Sequence, residues 1–316
     1  MTAMNAPPFA KHLASNDKKI RDKAIKSLAS FLADDAQENI SKSDMDKLWK
    51  GIFYCFWMSD KPLVQQALAS ELAELLLNIT SLSSSLSFLR GFWEATVREW
   101  SGIDRLRLDK YYMLVRRFVN ATFRLLERSK WDKTACETHN DILTQEGGPL
   151  CPTDIRVPAS LAYHLADIYL QELDKTLASS SLSDAEPSLP APLSPLLNPF
   201  FILAARTPTA TTYKRIQAEV FEPLFSALSL PPESQPPPQK RIRLDPSATQ
   251  EQYLALVSNA CFDRPSAGTV EREILRKKLL RRFFDIASEP ETKDSNRRKM
   301  YALFKESSED DGGEEG

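Results

Sequence analysis

Three side chains near the middle of the chain have the types, and part of the spacing, of a metal site: Cys136-x-x-His139, followed by Cys151. A structural zinc ion needs four ligands in closed tetrahedral geometry. No fourth ligand lies nearby in sequence, so these residues read as buried thiols and a histidine at the end of a polar helix. His12 and His164 stand apart, with no serine or cysteine arrangement that would make a nucleophile. A metal-dependent nuclease would need clustered carboxylates. The acids here are spread over helix faces or gathered in the stretch 306–316. No P-loop, dinucleotide fingerprint, metalloprotease helix or nucleophile elbow is present. The expectation is a protein without catalytic residues, metal, cofactor or small-molecule substrate, and therefore not an enzyme.

The charged residues suggest contact rather than catalysis. Asp60, Lys61, Asp104, Arg107, Asp109 and Lys110 recur at helix starts. Such groups cap helices and pair at i,i+3 or i,i+4, or they present a charged ridge to a partner. With Trp57 and Trp100 they form the candidate partner-binding surface. Trp49, Phe53, Phe56, Trp57, Trp93 and Trp100 are in the main core filler, though tryptophan also anchors interfaces. Further on, residues 270–305 hold eleven basic against six acidic side chains. There Arg276, Lys277, Lys278, Arg281 and Arg282 flank an apolar stripe of Ile274, Leu279, Leu280 and Phe283. Two readings stand side by side: a helix docked on the body with a solvated basic back, or a backbone-reading RNA contact. Ser307 and Ser308 each precede an acid by three residues, as acidophilic kinase sites do, and phosphorylation there would add negative charge beside the basic patch. Lys240, Arg241 and Arg243, in a Pro-rich connector, have the composition of a nuclear import signal.

The elements that must position these groups are helices. The chain has 316 residues, net charge −2, few glycines (9) and many prolines (21), so nothing global marks a nucleic-acid binder. Scarce glycine argues against a nucleotide-binding α/β fold. The four cysteines are far apart, as suits a reducing compartment, and no apolar run is long enough for a signal peptide or a membrane span. A soluble intracellular protein is expected. Between Phe88 and Leu126 the chain reads as two helices with a corner at Ser101-Gly102. In the second, Leu108, Tyr111, Tyr112, Val115, Phe118, Val119, Thr122 and Leu126 share one face. Asp104 sits where a cap or first-turn acid belongs. Residues 7–34 and 44–79 read as two earlier helical pairs. Leu28, Leu72 and Val115 are separated by 44 and 43 positions, the period of HEAT or armadillo arrays. The fold expected is therefore all-α: a HEAT/armadillo-like α-solenoid of stacked helix pairs over 7–228. A Pro-rich basic linker at 229–247, a helical basic segment at 248–305 and an acidic disordered tail at 306–316 follow.

Two strings within this frame are distinctive. Trp57-x-Ser59-Asp60-Lys61-Pro62 lies in block 48–75. Trp100-x-x-Ile103-Asp104-x-x-Arg107-x-Asp109-Lys110-Tyr111-Tyr112 opens block 100–118. Together they resemble the eukaryotic nucleolar ribosomal RNA-processing protein 1 family, over roughly residues 7–228. The resemblance implies an all-helical, non-enzymatic scaffold of the nucleus and nucleolus. It implies a role in pre-ribosomal RNA processing and large-subunit (60S) assembly, docked on other assembly factors and the pre-60S particle. The alternative is a direct RNA-binding module acting through the basic carboxy-terminal helix.

Overall fold

The computed structural model describes residues 9–33, 40–181, 188–229 and 253–309. It is all-α apart from one two-residue bridge, and it divides into two compact units between Ile168 and Tyr169.

The first unit is a layered helical stack. Its helices are α1 (Phe9–Leu13), α2 (Lys18–Leu32), α3 (Lys42–Trp57), α4 (Pro62–Asn78), α5 (Leu82–Glu99), α6 (Leu108–Arg128) and α7 (Lys133–Thr144), joined by the start of α8 (Ala159–Ser181). Alternate helices pack on one another: α1, α3, α5 and α7 form one layer, and α2, α4 and α6 the other. This is solenoid-like stacking, in which each pair buries its apolar faces against the next. Local signals start the helices. The Asp17 carboxylate caps α2 by accepting from Lys19 N–H at 2.8 Å, Ser41 and Ser81 cap α3 and α5, and Pro62 opens α4 where its missing N–H costs nothing. Leu28, Leu72 and Val115, the residues that set the period, are all fully buried. Within a layer, neighbouring helices come close where glycine permits: a Cβ on Gly91 of α5 would lie 2.3 Å from the Trp49 indole of α3.

One boundary differs from the sequence expectation. Asp104 does not cap α6. After α5 the chain makes a 3-10 turn, Trp100–Gly102, and a further turn in which Asp104 accepts the Arg107 and Leu108 amides before α6 begins at Leu108. Two successive turns use up the residues that periodicity alone assigns to the helix start.

The second unit holds the end of α8, then α9 (Leu193–Arg206), α10 (Ala210–Ile216), a π-helical turn (Gln217–Phe221), α11 (Glu222–Ser229), α12 (Leu254–Ser258), α13 (Arg272–Ser288) and α14 (Asp294–Glu309). Strands β1 (Ala191–Pro192) and β2 (Ala260–Cys261) pair in parallel. Helix α13 packs on α9, α11 and α14, and Phe283 meets Phe201, Phe221 and Phe225 edge-on. Two corrections follow. Ile274 is exposed rather than part of the stripe, and the buried positions are Leu275, Leu279, Leu280, Phe283 and Ile286. The last helix is α14, not α13, and it carries helical structure through 306–309, into the stretch expected to be a disordered tail. Its weak apolar content hides it in sequence; Met300 and Leu303 bury it against its neighbours.

Candidate docking joint

The two distinctive strings, some forty residues apart, meet in the first unit. Trp57 to Pro62 is the corner between α3 and α4, and Trp100 to Tyr112 spans the corner between α5 and α6. The first turn of α6 and the residue before it reach across with three contacts. The Lys110 ammonium donates to the carbonyls of Trp57 at 2.7 Å and Ser59 at 2.8 Å. The first is the last carbonyl of α3, where a cation also meets the negative end of the helix dipole, and the second lies in the corner just beyond it. The Tyr111 hydroxyl donates to the Phe53 carbonyl at 3.0 Å, and its ring stacks on Phe53 with centroids 4.8 Å apart. The Arg107 guanidinium lies 4.8 Å above the Trp57 ring, donates to Asp104 at 2.5 Å and stands 3.8 Å from Asp60.

The electrostatics separate an inner from an outer layer. Burial pulls the Lys110 ammonium down to about 8, with Asp60 acting the other way, and burial pushes the Tyr111 phenol well above its ordinary value. In the outer layer the hydrogen bond from Arg107 holds Asp104 below the usual carboxylate range, and the same bond raises Arg107. Beside this charged cluster, Leu63 and Leu106 are 79% and 93% exposed and Tyr54 is 39% exposed. The joint therefore shows water a small mixed patch on a rigid support.

The candidate residues sort accordingly. Asp60, Lys61 and Asp109 are exposed, and Trp57, Asp104 and Arg107 are half-buried at the rim. Lys110 is buried, so it is not a surface residue but the tie between the two corners. Trp100 is also buried, its indole N–H donating to the Ser160 hydroxyl at 3.1 Å. For Trp100 the core-filling reading therefore holds over the partner-surface one, and Lys110 leaves the charged ridge to which its place near a helix start assigned it. Sequence reasoning missed Leu63 and Leu106. Leu106 carried a signal, standing between two arginines and off the apolar period of α6.

The other candidates lie elsewhere. Arg276 is buried, its guanidinium donating to the Ser307 carbonyl at 2.5 Å, which withdraws it from any RNA contact. Ser307 is buried too, so a kinase could reach it only if α14 opened. Lys277 is exposed and pairs with Glu273. Lys278 and Arg281 are exposed and Arg282 is half-buried. Lys240, Arg241 and Arg243 lie outside the described residues. Cys136, His139 and Cys151 are buried. Burial drives the Cys136 thiol up to about 12 and the His139 ring down to about 4. Among the described residues no three His, Cys, Asp or Glu side chains cluster to hold a metal ion, and no helix is long and apolar enough to cross a membrane.

Fold and joint define a class: an all-α protein of stacked helices whose distant motif blocks are locked into one ridge. Residues 4–304 match the family described as nucleolar protein, Nop52, and the chain belongs to that family. The match runs well past residue 228, where the resemblance of the two strings ends. The chain is 36% identical over 235 residues to Ribosomal RNA processing protein 1 homolog B of Homo sapiens, covering 73% of this chain and 30% of that protein. It is 29% identical over 322 residues to the Mus musculus homolog B, covering 94% and 43%. It is 33% identical over 167 residues to the Caenorhabditis elegans homolog, covering 52% and 41%. It thus spans less than half the length of each of these relatives.

Proposed function

We propose that this chain is a non-enzymatic scaffold in ribosomal RNA processing, working in the nucleolus during assembly of the large ribosomal subunit. It docks other assembly factors on the pre-60S particle through the α3–α4/α5–α6 joint. The observation that carries this reading is the meeting of the two family strings at one place. Their conformational ties (Lys110, Tyr111) are inside, and their rim groups (Trp57, Asp60, Asp104, Arg107) face outward. A rigid support under a mixed apolar and charged rim is what a protein interface requires, because little ordering entropy is then lost on binding. The relatives' shared name, ribosomal RNA processing protein, supports the pathway. Entry to the nucleus is assigned to Lys240, Arg241 and Arg243.

The test is affinity purification of the tagged full chain with crosslinking mass spectrometry. It is run beside the double variant Leu63→Ser, Leu106→Ser, whose exposed side chains contribute little to folding. The variant should keep its thermal transition and lose most of its co-purifying assembly factors, with crosslinks of the native protein centred on 54–63 and 104–109. Unchanged partners at unchanged yield, with crosslinks elsewhere, would remove the joint from docking.

A further inference from the structure

The exposed side of α13 forms one wall of a cleft of about 620 Å³, closed opposite by residues 261–270. That volume falls in the range of sites that hold one small ligand or one nucleotide. Phe262, half-buried, lines the cleft beside Arg264, Lys278, Arg281 and Arg282. The Lys278 ammonium stands 5.9 Å from the centre of the Phe262 ring. Two carboxylates are also present: Asp263, and Asp285, which pairs with Arg281 at 3.1 Å. Arg282 reaches the Asn198 side chain at 3.4 Å. The aromatic residue is held in place by the backbone. Its carbonyl accepts from Ser194 N–H at 2.8 Å, β2 directly before it pairs with β1, and Val270 N–H returns to the Ala260 carbonyl at 3.1 Å.

We propose that this cleft takes an unpaired nucleotide of single-stranded RNA, with the base against Phe262 and the flanking phosphates on Lys278, Arg282 and Arg264. An aromatic ring on a fixed backbone among cations is the composition that captures splayed bases. The Lys278 ammonium lies over that ring, and a base entering there would displace the flexible lysine onto its phosphate. The cations neutralise the backbone without reading sequence. Asp263 and Asp285 oppose any polyanion, but they can accept hydrogen bonds from base amino groups and ribose hydroxyls, donors that the carboxylates of an acidic peptide lack. A duplex keeps its bases stacked and offers none to the ring. This inference goes beyond the docking reading and does not depend on it.

The experiment uses the full chain and a fluorescein-labelled oligouridine, followed by fluorescence anisotropy at roughly 50 and 200 mM salt. Phe262→Ala should weaken binding about tenfold, and Phe262→Trp should restore it. Lys278→Gln with Arg282→Gln, on the outer side of a well-anchored helix, should lower the salt slope by about 1.4. Arg298→Gln, exposed and outside the cleft lining, should bind as the native chain does, and so should Leu63→Ser, Leu106→Ser, which separates this site from the docking joint. Three results would each overturn the proposal: equal affinity of native, Phe262→Ala and Lys278→Gln/Arg282→Gln proteins; duplex RNA competing as well as the single strand; or polyglutamate displacing the strand at equal charge concentration.

Discussion

Lys110 is the residue on which the two corners of the joint depend. It donates to the last carbonyl of α3 and to the Ser59 carbonyl just beyond it, so Lys110→Met removes the donor and leaves the acceptors in place. Deleting one partner of a buried bond costs more than deleting both. The expected loss is about 2 kcal/mol in urea unfolding followed by circular dichroism, because Ser59 O keeps the Gln65 side chain as a second donor at 2.9 Å. Asp109→Ala, one residue earlier and exposed, should stay within about 0.5 kcal/mol of the native protein. His139 gives a pH prediction of definite sign. Burial holds its ring down to about 4 against an ordinary 6.5, so between these values the unfolded chain binds the extra proton and the folded one does not. The contribution of the neutral ring is therefore complete above about 6.5 and is lost as pH falls toward about 4. It amounts to roughly 3 kcal/mol. In proton NMR the His139 ring resonances should hold their neutral positions until the pH falls close to about 4.

At the scale of elements, the stack is set by how closely neighbouring helices of a layer approach. Gly91 in α5 lets the Trp49 indole lie flat against the helix backbone, with its N–H donating to the Phe88 carbonyl at 3.1 Å and its ring 4.5 Å from Phe88. A methyl group there would sit 2.3 Å from the indole and 2.9 Å from Met45, well inside contact distance. The indole is held by its bond and by three neighbouring rings, so it cannot swing aside without losing them. Gly91→Ala, which helix propensity alone would favour by up to about 1 kcal/mol, should instead destabilise by about 2 kcal/mol through overpacking. Thermal melts together with a red-shifted tryptophan emission would show it; a raised melting temperature would contradict it. In the second unit the equivalent tie is Arg276, which fastens α14 to α13 through the Ser307 carbonyl.

For the molecule as a whole, the question is where it is delivered and what it meets there. The chain carries net charge −2, so no global field draws it to RNA, and its contacts must be local. In the Pro-rich stretch 229–247, which lies outside the described residues, the sequence carries the basic cluster Lys240, Arg241 and Arg243. Replacing all three with alanine in a fluorescent fusion should reduce nuclear accumulation several-fold while the helical circular dichroism spectrum stays the same. Undiminished accumulation would show that import uses another segment or a bound partner.

The sequence by itself determined the class of fold. Apolar residues recur at helical spacing, the period of Leu28, Leu72 and Val115 points to stacked pairs, and the Asp17 cap and the Pro62 helix start follow from side-chain chemistry within a few positions. These are local signals, and local signals survive being read along a line. The two family strings were legible in the same way, though not as one place. Only the tertiary structure decided that they touch, that Lys110 and Trp100 are spent inside while Leu63 and Leu106 face water, and that Arg276 holds a helix instead of a phosphate. Burial of a charged side chain depends on which carbonyls a distant segment brings within reach, and no spacing along the chain records that. Helix α14 was missed for the same reason. Its own apolar content is slight, and Met300 and Leu303 hold it only because α9 and α13 supply a surface on which to pack.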